Sequence, residues 1–136
     1  MRRNKKGQGI VEGTVGLVMI IGGGILVTFL ILNSGVGMLC QYKIMLVTGQ
    51  AAIFAAGHQA DSDIQSETQT FVQDLMPTVG LNPSGPVVKV IPTTVHGVAG
   101  EQVTVSNQFL MFNTSTRIRL TDTEFASYVV SPDLGR

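Results

Sequence analysis

Hydrophobic and polar positions divide the 136-residue chain into three stretches of different character. Residues 13–42 hold thirty consecutive positions without Asp, Glu, Lys or Arg, centred on Gly16-Leu-Val-Met-Ile-Ile-Gly-Gly-Gly-Ile-Leu-Val-Thr-Phe-Leu-Ile-Leu32. About 18–20 apolar residues cross a hydrocarbon core ~30 Å thick, so the run predicts a membrane-spanning helix over 8–42. A soluble domain of this size has too little material to wrap so long an apolar helix. A removable secretory signal would carry an apolar stretch of ~7–15 residues closed by a small-x-small site. Here the run is about twice that length, and no such site closes it.

Past the span the period changes. Tyr42, Met45, Leu46, Gly49, Ala52, Ile53 and Ala56 recur at intervals of three and four, which predicts a helical continuation over 43–60 with one apolar stripe. Gly57-His58 marks its end. Asp61-Ser62-x-x-Gln65 reads as a helix cap with its capping-box partner, and Ile64, Phe71, Val72, Leu75 and Met76 give the next helix one apolar face before Pro77 stops it. Three prolines and two glycines in 76–86 predict a loop. Runs at 87–91, 102–112, 115–121 and 125–130 read as strands, and the alternation in Arg117-Ile118-Arg119-Leu120 is that of an antiparallel sheet with one buried face. The fold class is therefore α+β: a long transmembrane helix running into a small exported domain, 61–136, with a short helix and an antiparallel sheet. So small a body builds only a modest core, which leans on the long helix or on neighbouring subunits.

Composition sharpens this through the distribution of charge. Nine Lys and Arg balance nine Asp and Glu, which leaves no basic excess for phosphates and excludes a plain nucleic-acid binder. The balance hides a segregation. Arg2, Arg3, Lys5 and Lys6 crowd a basic leader, 1–7, whereas eight acids face four basic residues from Asp61 onward. Positive charge beside the span predicts a cytoplasmic N-terminus and an exported body.

Lys5-Lys6-Gly7-Gln8-Gly9-Ile10-Val11-Glu12 joins leader to span. A carboxylate entering the apolar region costs roughly 2.5–3.5 kcal/mol on insertion scales and calls for a partner. The helix dipole also favours an acid in a first helical turn, but it does not select a position five residues after a glycine behind a basic leader. Gly9-x-x-x-Gly13 has the small-xxx-small spacing that lets two helices approach closely.

This junction resembles the class III signal of type IV prepilins. That resemblance implies cleavage after Gly7 by a prepilin peptidase, with Gln8 as the new N-terminus. The Gln8 ammonium of one subunit would then meet Glu12 of a neighbour and set the register. Gly7-Gln8-x-x-Val11-Glu12 is further similar to the start of the TadE-like family, the pseudopilin-like proteins of tight-adherence (Flp) pilus systems. Ala51-Ala-Ile-Phe-Ala-Ala56 resembles that family's alanine-rich stretch, and Gln102-Val-Thr-Val-Ser106 its VTV-type strand. Gly13 stands where the family usually has an aromatic residue, and the span lacks the family's common proline and arginine-bearing exit. The resemblance implies a bacterial inner-membrane protein with a periplasmic or extracellular domain. Its implied partners are the membrane, prepilin peptidase, other pilin or pseudopilin subunits and the inner-membrane assembly platform.

Reactive chemistry is sparse. His58 and His96 are far apart and read as turn residues, Asp61-Ser-Asp63 lacks the rest of a calcium loop, and Asp122 with Glu124 reads as a surface-loop pair. Asn113-Thr-Ser115 matches a glycosylation acceptor, and Cys40 is the only cysteine. The expectation is a protein that is not an enzyme and uses no metal or cofactor. The competing reading is an unprocessed single-span anchor presenting a small binding module.

Overall fold

The computed structural model describes residues 5–59, 61–82, 85–110 and 117–127, with backbone alone for 5–8. Helix α1 (Lys5–Gly57) precedes helix α2 (Ile64–Leu75), a 3-10 turn (Met76–Val79) and strands β1 (Val87–Val95), β2 (Val98–Leu110) and β3 (Arg117–Ser127). This is the α+β class expected from the sequence pattern. The chain forms two compact units, Met1–Val36 and Gly37–Arg136.

The first unit is helical throughout its described residues and is apolar on every side, with Met19 72% and Ile20 74% exposed. Gly22, Gly23 and Gly24 do not interrupt it. Glycine costs about 1 kcal/mol in an aqueous helix but is tolerated in apolar spans. The few polar side chains bond back into their own helix. Thr14 Oγ1 donates to Ile10 O at 2.8 Å, Thr28 Oγ1 to Gly24 O at 2.9 Å, and Asn33 Nδ2 to Phe29 O at 3.1 Å. Such back-bonding satisfies donors that hydrocarbon could not, while Asn33 Oδ1 is buried without a hydrogen-bond partner among the described residues. The helix is long and apolar enough to cross a membrane, and its most apolar window has nothing packed over it.

In the second unit the same helix becomes part of a core. Ile44, Val47, Ala51, Ala52 and Ala55 are buried with Val72 of α2, Met76, Leu81, Val88, Val103 and Val105. The body does lean on the long helix. The stripe it uses overlaps the expected one only at Ala52 and Ala56, however. Tyr42, Met45, Leu46 and Ile53 are all exposed, and the buried row runs 44, 47, 48, 51, 52, 55, 56. At ~100° per residue the buried row is turned by roughly 115° from the expected stripe and shares its edge with it. This segment is apolar on both, so periodicity alone could not choose the inner one; the small side chains of the alanine row let the sheet and α2 pack close.

Three further expectations are corrected. α2 starts at Ile64 behind Asp63, which makes no side-chain cap, and Gln65 closes no capping box. Its amide instead donates to Val88 O (2.7 Å) and accepts from Val90 N (2.9 Å). A backbone edge that would otherwise be unsatisfied offers it two bonds where the cap offers one. The start of the 76–86 segment is not loop but a 3-10 turn with a proline in its first positions, closed by Gly80 at φ 71°, where Leu81 N–H reaches Met76 O at 2.9 Å. Finally, the runs at 115–121 and 125–130 belong to one strand over their described residues. Asp122 and Glu124 lie in the middle of β3 rather than in a loop.

The sheet has the order β1-β2-β3, antiparallel throughout. β1 and β2 join through a two-residue turn, His96 (φ 49°) and Gly97 (φ 82°), the pair of positive φ values that a type I′ hairpin needs. Register places Val105 opposite Val88 and Asp122, and Val103 opposite Val90 and Glu124. Opposed residues share a face, so the core face carries Glu101, Asp122 and Glu124 among its aliphatic side chains. A Cβ at Gly100 would collide with the Ala126 carbonyl oxygen, which makes that position intolerant of any side chain.

Candidate functional site

The candidate site is the leader–span junction. Arg2 and Arg3 lie outside the described residues, as does the sequon Asn113-Thr-Ser115. The backbone of Lys5, Lys6, Gly7 and Gln8 is already helical, so the Gly7–Gln8 bond lies in the first turns of α1. No acid occupies that first turn. Lys5 and Lys6 therefore occupy the positive end of the helix dipole, where cations are disfavoured.

Glu12 follows Gln8 by one turn and is exposed. At ~100° per residue, Gly9, Glu12, Gly13 and Gly16 fall within a single arc of about 100°. A Cβ built on any of these three glycines meets nothing within 4 Å. The structure thus brings three small residues around one carboxylate on an open helix face. Among the described residues no ion pair reaches Glu12. Such a face lets a second helix approach to backbone distance and take water from the carboxylate, which then needs a cation or donor from that helix.

The other sequence candidates disperse. Cys40 is a half-buried free thiol. His58 Nδ1 lies 2.8 Å from Phe54 O, its ring stacks on Phe54 at 4.2 Å, and Phe54 stacks on Phe71 at 4.5 Å, so this imidazole closes the end of α1 against α2. His96 is a turn residue. Among the described residues no three His, Cys, Asp or Glu side chains are placed to hold a metal ion.

Sequence reasoning missed two features. Gln65 and Gln69 are bound side by side along β1, with Gln69 Nε2 donating to Pro86 O (2.8 Å) and its Oε1 accepting from Val88 N (3.1 Å). Their i, i+4 spacing was a readable signal. Glu101, only 5% exposed, has Oε2 without a hydrogen-bond partner among the described residues. Burial pushes its carboxyl above the ordinary range. The alternation puts it in phase with Val103 and Val105, a signal that it faces inward, but only packing shows that the buried face extends that far. Comparison with protein-family models, with characterised proteins and with solved structures gave no match.

Proposed function

We propose that this chain is a membrane-anchored pseudopilin or minor pilin of a tight-adherence type pilus or related secretion filament. It is inserted with its N-terminus in the cytoplasm, trimmed after Gly7 and packed against other subunits through α1. The observation that carries the reading is Glu12 on an open face flanked by Gly9, Gly13 and Gly16, one turn after Gln8. A carboxylate at the edge of a long apolar helix is costly without a partner, and a neighbour's amine would supply one. The exposed row of Tyr42, Met45, Leu46 and Ile53 supports the same reading, because it leaves an apolar face for neighbouring helices after the inner face is used.

Cleavage also changes the charge. Loss of Arg2, Arg3, Lys5 and Lys6 leaves five basic against nine acidic side chains, a net of −4. In membranes containing prepilin peptidase, Glu12→Ala should be processed yet fail to enter filaments, and Glu12→Asp should recover part of the incorporation. Equal incorporation of wild type and Glu12→Ala rejects the register role. An intact N-terminus, together with a body that binds a partner when released from the helix, would favour the unprocessed anchor instead.

A further inference from the structure

The body keeps exposed charges of opposite sign on opposite sides. Ladder register puts Lys89, Ser106, Arg117, Arg119 and Thr121 on the sheet face turned away from the core. Lys89, Arg117 and Arg119 are exposed there, and among the described residues that face carries no acid. Val87, Leu110 and Phe125, each more than half exposed on the same face, show that nothing in the described chain covers it. The exposed acids lie behind it. On α2, Glu67 and Asp74, with Asp63 one turn ahead of Glu67, fall within an arc of about 40° at ~100° per residue. This ridge is on the far side of α2 from Gln65 and Gln69, which seal the backbone edge of β1, so it points away from the sheet. Beside it runs a groove of about 380 Å³, lined by the stacked rings of Phe54 and Phe71 and by Ser66, Glu67, Thr70 and Asp74. Aromatic rings beside two carboxylates suit a guanidinium, which can stack and pair at once. Among the described residues no ion pair reaches any of these charged side chains.

We infer that the outer sheet face of one copy of this chain docks on the α2 ridge of the next, with Arg119 in the groove beside Asp74 and Lys89 against Asp63. Charge and spacing select this occupant. Lys89 and Arg119 are two strand spacings of ~4.8 Å apart across the sheet and four residues of ~3.3 Å apart along it, about 16 Å in all. Asp63 and Asp74, eleven residues apart at ~1.5 Å each, are separated by about 16 Å as well. Opposite charges therefore meet at both ends of the contact. Ser106 lies midway between the two cations, and its hydroxyl, which accepts from Thr121 Oγ1 at 3.0 Å, keeps its own O–H to donate to Glu67. Because the two surfaces point away from each other, no copy can satisfy its own, and a docked pair leaves one of each free. The contact is heterologous and propagates along a row of bodies. It does not depend on cleavage at Gly7.

The test uses the full chain in membranes lacking a prepilin peptidase, in a Cys40→Ser background. Co-expressed Thr70→Cys chains, marked in the groove, and Thr121→Cys chains, marked beside Arg119, should form a mixed disulfide-linked dimer under mild oxidation. Either chain alone should give less than a tenth of that yield. Adding Arg119→Glu to the Thr121→Cys chain should lower the mixed dimer at least tenfold. Adding Asp74→Arg to the Thr70→Cys chain as well should restore it, with circular dichroism unchanged throughout. The proposal is overturned if no mixed dimer forms, if either chain alone gives an equal yield, if Arg119→Glu leaves the yield unaltered, or if the charge swap restores none of it. A Thr70→Cys cross-link to a different protein in place of the mixed dimer also overturns it.

Discussion

One helix, α1, lives in two environments, and the difference lies in which faces are covered. From Ile10 to Leu32 its large apolar side chains other than Phe29 are exposed, while from Ile44 to Ala56 one row is buried and Met45, Leu46 and Ile53 beside it are not. The sequence is apolar in both places. What distinguishes them is side-chain size. The outer half carries Ile, Leu, Val and Met between glycines, and the inner row is built of alanines with Ile44 and Val47. Bulk left exposed among the described residues is the kind of surface that lipid or other helices cover, and a small-residue row is one against which a sheet packs closely.

The comparison breaks most sharply under truncation. Met76→Ala, at a fully buried position in the second unit, should destabilise the body by about 2–5 kcal/mol. Met19→Ala on the exposed half should change it by no more than about 0.5 kcal/mol. Urea denaturation in detergent, read by hydrogen exchange at Val103 and Val105, separates the two. Equal losses would mean that the outer half is folded against something in the chain itself.

Next comes the sealed edge. Gln65→Ala with Gln69→Ala removes three hydrogen bonds to β1 and one to the preceding Pro86 O and should cost on the order of 1–3 kcal/mol, less than four full bonds because water reaches the edge. Amides of Val88 and Val90 should exchange faster while Val103 stays protected. Unchanged exchange at Val88 would show that the glutamines do not seal the strand.

Glu101 gives a smaller effect with a definite sign. Its carboxyl is raised in the folded state, so the folded chain holds that proton more tightly than the unfolded chain does. Its contribution is most favourable below the ordinary carboxylate range and is lost as pH rises through that range to the raised value. Glu101→Gln should therefore be more stable than the parent at pH 7, with the gap closing toward pH 4. Thermal midpoints at the two pH values check this, and a gap that widens in acid contradicts it.

Least affected should be the exposed row of α1. Ile53→Ser, at a position 63% exposed, should leave body stability within about 0.5 kcal/mol while lowering incorporation into filaments. Unchanged incorporation would remove that row from the assembly surface.

Much of this architecture was legible because its signals are local. Thirty positions without Asp, Glu, Lys or Arg mark a helix long and apolar enough to cross a membrane, Pro77 follows the end of α2, and alternation finds the strands. The wrong inner face of α1, the missed role of Gln65 and the strand placement of Asp122 and Glu124 share a different cause. Each depends on which distant segment packs alongside, and an apolar row on both sides of a helix, or an acid in an alternating run, looks the same before that segment is known. The junction is legible in the opposite sense. Gly7, Gln8 and Glu12 are adjacent in sequence, so the helix adds to them only the shared face with Gly9, Gly13 and Gly16.

The central claim is most directly tested by the mass of the mature N-terminal peptide after co-expression with a prepilin peptidase. The account predicts a chain beginning at Gln8, with Arg2, Arg3, Lys5 and Lys6 gone, and no such product from Gly7→Val. A chain that still begins at Met1 beside an active peptidase would contradict it.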